Sequence, residues 1–132
     1  MEKLLGLVFK FQAVFGQPLN RTPSNVEQKI YSLRHDLMEE ENNEYLEACM
    51  NDDKVEIADA LGDQLYILLG TINTHGMQYI IEDVFEEIHA SNMSKLDENG
   101  QPIYREDGKI LKGENYFRPN LRQFFDPNRK MN

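Results

Sequence analysis

Apolar residues recur at helical spacing through the first 95 positions, and the spacing predicts four helices. Leu4, Leu7, Val8, Phe11, Val14 and Phe15 mark a first segment from about 3 to 16, closed by Gly16. Gln17 to Pro23 reads as a linker, because its two prolines block helix continuation. A second helix is expected from about Asn25 to Met50, with Ser24 and Glu27 as a capping box. Its apolar positions include Val26, Ile30, Leu33 and Leu37. Asn51-Asp52-Asp53 interrupts it, and Asp53 with Glu56 opens a third helix from about Lys54 to Thr74. That helix is apolar on most faces, which predicts burial from several sides. His75-Gly76 supplies its stop, and a fourth helix runs from about Gln78 to Lys95.

Beyond Leu96 the periodicity is lost. Asn99-Gly100, Asp107-Gly108 and Lys112-Gly113 punctuate short apolar pieces, Ile103-Tyr104 and Ile110-Leu111, which fit a loop or a small two-stranded hairpin. Tyr116 to Pro119 and Phe124-Phe125 are expected to pack the tail back. The pattern predicts an all-α fold, a four-to-five-helix bundle with a C-terminal loop or hairpin tail, in one domain over residues 1–132.

The polar positions on these helices change the picture from fold to chemistry. Glu40, Glu41 and Glu44 crowd one strip of the second helix, beside the strip of Leu33 and Leu37. Each carboxylate there raises the cost of ionising the next unless a cation sits among them. On the third helix Glu56, Asp59 and Asp63 are spaced i, i+3, i+7 and share one face. Solvated acidic faces are the ordinary alternative. Against it, Asp59 and Asp63 lie among Ala58, Ala60, Leu61 and Leu65, and no basic residue follows Lys54 on that helix. Carboxylates in such surroundings need a partner. An all-oxygen set suits Mg²⁺, with Mn²⁺ as the alternative, rather than zinc.

Other constellations are weaker. Glu86 and His89 form one E-x-x-H pair, whereas a di-iron bundle needs two. Asn92, Lys95, Arg105, Lys109 and Lys112 gather basic and amide groups on a glycine-rich segment that could hold phosphates. Neither G-x-x-x-x-G-K-[ST] nor G-x-G-x-x-G occurs, so such binding would not be of the P-loop or Rossmann kind. A net charge of −9 and a pI near 4.8 argue against a nucleic-acid binder, and an anionic substrate would need metal or a local basic patch. Cys49 is the single cysteine, which excludes an intrachain disulfide framework and suits a reducing cytoplasm. The apolar run Leu4–Phe9 is too short to span a membrane.

Glu40-Glu41-Asn42-Asn43-Glu44 resembles the E-E-x-x-E motif of the MazG-like, all-alpha NTP pyrophosphohydrolase superfamily. That superfamily includes phosphoribosyl-ATP pyrophosphohydrolases and dimeric enzymes that cleave dUTP or dCTP. Its second motif, E-x-x-D, has two registers here. Glu56-Ile57-Ala58-Asp59 satisfies it literally, whereas Leu61 to Tyr66 matches around Asp63 and puts Ala60 at the glutamate position. The stretches His89–Lys95 and Asp107–Gly113 resemble the subgroup with a phosphoribosyl-ATP pyrophosphohydrolase-like domain. The resemblance implies Mg²⁺-dependent cleavage of a nucleoside triphosphate, dUTP- or dCTP-like, to monophosphate and pyrophosphate. Phosphoribosyl-ATP hydrolysis and a non-catalytic acidic interaction module are the alternatives. It implies Glu41, Glu44, Glu56, Asp59 and Asp63 as metal ligands and Glu40 as the group that orients or deprotonates water. Asn92, Lys95, Lys109 and Lys112 would meet the phosphates, and Gln12 and Phe15 the base. A homodimer or homotetramer is implied as well.

Overall fold

The computed structural model describes residues 1–128, and its helices follow the apolar periodicity. They are α1 (Glu2–Val14), α2 (Gln28–Met50), α3 (Lys54–Thr74) and α4 (Ile81–Met93). Strands β1 (Ile103–Tyr104) and β2 (Ile110–Leu111) pair antiparallel, with Ile103 opposite Leu111 and Tyr104 opposite Ile110. A short 3-10 turn covers Arg122–Phe125. The fold is all-α with a small hairpin near the C-terminal end, as the pattern predicts. Backbone contacts divide it into two compact units, Met1–Tyr79 and Ile80–Asn132.

In the first unit α3 is the central element and packs on both α1 and α2. Its start is fixed by Asp53, whose carboxylate accepts from the backbone N–H groups of Val55 and Glu56 at 3.1 Å each. Its end is fixed by Gly76 at φ +68°, where a side chain would also collide with the Thr22 backbone. The linker is tied to that end. Asn20 Nδ2 donates to the Thr74 carbonyl at 2.7 Å, Thr74 Oγ1 to the Pro18 carbonyl at 3.0 Å, and Gln78 Nε2 to the Asn20 carbonyl at 2.8 Å. The first of these bonds satisfies a carbonyl that the end of a helix leaves open.

Two expectations are corrected here. Ser24 is no helix cap: its hydroxyl donates to the Thr22 carbonyl and its N–H to the His75 carbonyl. Committed to the loop, it leaves α2 to start at Gln28, with Glu27 before it and no side-chain cap. Nor is α3 buried on most faces. Ala60, Leu69, Gly70, Asn73 and Thr74 are buried, whereas Leu61, Leu65, Tyr66 and Leu68 are exposed. On α1, Leu5, Val8 and Gln12 are buried and Leu4, Leu7, Phe11, Val14 and Phe15 are exposed.

In the second unit α4 begins at Ile81, three residues later than its periodicity suggests, after a turn. The tail is fastened to α4: Ser91 Oγ donates to the Phe117 carbonyl, Phe117 N–H to Ser94 Oγ, and Asn120 N–H to Glu87 Oε1. Among the described residues no helix is long and apolar enough to cross a membrane.

Candidate metal centre

The seam between α2 and α3 carries the acids. Residues 34, 41 and 48 of α2 recur every seven positions, so all three fall on nearly one face of the helix. On α3, residues 60, 63, 67, 70, 71 and 74 share the same kind of spacing. Ala48 and Ala60 are buried, one from each wall. Farther along, Gln64 Nε2 donates to Asn42 Oδ1 at 3.0 Å and links the two helices directly.

Beside that link, one carboxylate oxygen from each of Glu41, Glu44 and Asp63 lies within 4.8 Å of the others. Glu41 Oε2 is shielded from solvent and has no hydrogen-bond partner. Among the described residues no lysine, arginine or histidine pairs with any of the three. The electrostatic consequence is a proton held tightly. Burial first, then the adjacent Glu44 carboxyl, with Asp63 and Glu40 adding their charges, raise the Glu41 pKa to about 7. Burial, then Asp59 and Glu44, also push Asp63 above the usual carboxylate range.

Three carboxylates with oxygens at this spacing, one of them also carrying a buried oxygen without a partner, are a donor set that fits a hard divalent cation. A cleft of about 380 Å³ opens next to them, lined by Glu44, Glu47, Ala48, Asn51, Asp53, Glu56, Asp59 and Ala60. It places Glu56 and Asp59 at the site's margin while Asp63 joins the tight trio. Glu40, exposed, adjoins the trio in sequence and contributes its charge to Glu41. A second group, His35, Asp36 and Glu39, is exposed, and His35 Nδ1 lies 3.1 Å from Asp36 Oδ1.

The other expected residues are not members of the trio. Gln12 is 1% exposed, and its amide is taken up inside the unit: Nε2 donates to the Gly70 carbonyl at 2.8 Å and to Thr74 Oγ1 at 3.3 Å, and Oε1 accepts from Asn73 Nδ2 at 3.1 Å. It joins α1 to α3 and has no amide face free for a base. Phe15 is exposed and packs on Phe11 with ring centres 4.4 Å apart; Phe11 meets Tyr66 edge-on. Asn92, Lys95, Lys109 and Lys112 all belong to the second unit. There Lys112 Nζ sits 4.6 Å over the Tyr116 ring, and the Lys95 carbonyl accepts from Gly113 N–H.

Arg34 was not legible as a functional residue, although it lies seven positions before Glu41 and interrupts the apolar face of Ile30 and Leu37. It is 8% exposed and donates from Nε to Thr71 Oγ1 at 3.0 Å and from Nη2 to the Ile67 carbonyl at 2.9 Å.

No curated protein matches the chain. A family model does: residues 8–92, from within α1 to the last turn of α4, match phosphoribosyl-ATP pyrophosphohydrolase. That span contains both acidic walls and covers well over half of the sequence. The chain therefore belongs to the phosphoribosyl-ATP pyrophosphohydrolase family, a family of acid anhydride hydrolases within the MazG-like all-alpha NTP pyrophosphohydrolases.

Proposed function

We propose that the α2–α3 seam hydrolyses the anhydride between the α- and β-phosphates of a nucleoside triphosphate, giving the monophosphate and pyrophosphate. The observation that carries this reading is the convergence of Glu41, Glu44 and Asp63 within 4.8 Å, with no lysine, arginine or histidine paired to them among the described residues. Glu41, Glu44 and Asp63 hold a divalent ion, Mg²⁺ or Mn²⁺, and Glu56 and Asp59 extend the acidic wall along the cleft. When bound, the ion supplies positive charge that offsets the phosphates and polarises the scissile anhydride. The chain's own work is then to give up the proton that Glu41 retains to about pH 7, and to direct water with Glu40. Phosphate contact by Asn92, Lys95, Lys109 and Lys112 is a separate part of the proposal, drawn from their basic and amide character.

Two substrates are in view. The matched family favours phosphoribosyl-ATP. The likeness of His89–Lys95 and Asp107–Gly113 to the subgroup with a phosphoribosyl-ATP pyrophosphohydrolase-like domain, several of whose members act on deoxynucleoside triphosphates, favours a dUTP- or dCTP-like triphosphate. The exposed apolar faces of α1 and α3 favour a homodimer or homotetramer as the working form. The test is pyrophosphate release from phosphoribosyl-ATP and a panel of nucleoside triphosphates with Mg²⁺. Turnover of phosphoribosyl-ATP alone selects the first substrate; turnover of dUTP or dCTP selects the second. No release from any of them ends the proposal.

A further inference from the structure

The buried guanidinium of Arg34 stands out because its protein partners are all neutral. Among the described residues no carboxylate pairs with it, although Glu41 and Glu44 lie about 10 and about 15 Å farther along α2 in the same seam. A buried charge held this way costs stability relative to an apolar side chain of similar volume. What it gains is direction. Arg34 Nε donates to Thr71 Oγ1, Thr71 Oγ1 donates to the Ile67 carbonyl at 2.8 Å, and Arg34 Nη2 donates to that same carbonyl. The closed ring fixes α2 to α3 at two points one turn apart. An apolar contact would allow the helices to slide or roll; a planar fork with two directional bonds does not.

Gly70 is the matching seat. A Cβ there would lie 2.7 Å from Arg34 Nη2 and 3.2 Å from Gln12 Nε2. The bare backbone at this point lets the guanidinium reach the carbonyls of α3. Ile67, the anchor, is one turn from Asp63 on α3, and Arg34 is two turns from Glu41 on α2. A small roll of α2 at Arg34 would therefore displace Glu41 and Glu44 relative to Asp63.

We propose that Arg34, seated on Gly70, is a positioning residue that sets the register of α2 against α3 and so the spacing of the three carboxylates. This deepens the metal-site reading and rests on it. The test measures Mn²⁺ affinity by titration calorimetry for wild type, Arg34→Met, Arg34→Lys and Thr71→Val, with helix content and hydrogen exchange measured alongside. The expected result is an affinity at least about 10-fold weaker in both Arg34 variants and a smaller loss in Thr71→Val, all still helical. Wild-type affinity in folded Arg34→Met overturns the inference. So does full rescue by lysine, which keeps the charge but not the fork. If the Arg34 variants do not fold, Thr71→Val decides: unchanged affinity there overturns it. If wild type itself binds no metal, the proposed function fails, and the register is judged by exchange of the Leu37–Glu44 amides. Faster exchange in Arg34→Met then supports the inference and unchanged exchange overturns it.

Discussion

Two regions of the first unit bring polar side chains between helices, and they do so in opposite ways. Where α1 meets α3, Gln12, Asn73 and Thr74 are neutral and complementary: each amide N–H group that the structure describes finds a carbonyl or hydroxyl, including Asn73 Nδ2 on the Leu5 carbonyl at 3.2 Å. Only Asn73 Oδ1 in that group lacks a partner. Where α2 meets α3, Glu41, Glu44 and Asp63 are alike in charge and have only one another. The first arrangement is complete within the fold and contributes specificity of packing. The second is unfavourable as it stands and becomes favourable only with a cation or protons from outside. Burial alone does not separate a structural polar residue from a functional one; the chemistry of its neighbours does.

Substitutions should break this contrast in predictable order. Glu41→Gln and Asp63→Asn are each expected to lower pyrophosphate release by at least about 100-fold while leaving the helices intact, read by circular dichroism beside the activity assay. Activity within a few-fold of wild type in both would remove the site from the seam. Gln12→Leu should do the reverse. It removes the hydrogen bonds that Gln12 makes to the Gly70 carbonyl, Thr74 Oγ1 and Asn73 Nδ2, costing about 1–3 kcal/mol in urea unfolding, with metal affinity unchanged.

The proton on Glu41 gives a sharper distinction. Its pKa is raised from 4.5 to about 7 in the folded chain, so the folded state binds more protons than the unfolded state across that interval. The contribution to stability is fully present below about pH 4.5 and is lost as the pH rises through about 7. Through this group the metal-free protein should melt lower at pH 8 than at pH 5. Glu41→Gln should flatten that part of the profile and raise the pH 8 melting temperature by about 3–5 °C. Mg²⁺ should stabilise wild type more at pH 8 than at pH 6, where it competes with the proton. The smallest effect is expected from Asp53→Ala at the start of α3, about 1 kcal/mol of stability for the lost cap, visible as a shifted denaturation midpoint.

Much of this was written in the local pattern. The four helices, the Asp53 start, the Gly76 stop and the hairpin at Ile103–Leu111 follow from periodicity and turn chemistry, which act within a few residues. Glu41, Glu44 and Asp63 were legible because like charges at helical spacing in apolar surroundings call for an outside partner. What stayed hidden depends on contacts distant in sequence. Ser24 resembles a cap until the His75 carbonyl takes its N–H. Gln12 offers the same amide to a base or to Gly70, and only the packing of α1 on α3 decides. The geometry at the second acidic motif is equally non-local: an oxygen of Asp63 lies within 4.8 Å of Glu41 and Glu44, whereas Asp59 lines the cleft beside Glu44.

The missing side chain at position 70 ties two distant sites of inheritance together. Alanine there would press on the guanidinium of residue 34, and a shorter residue 34 would leave an empty notch above the glycine. Each change alone should therefore cost more than its share of the pair, so Gly70→Ala combined with Arg34→Met should be milder than the sum of the two. Chains that drift at one position are expected to drift at the other, and the two letters carry one piece of information.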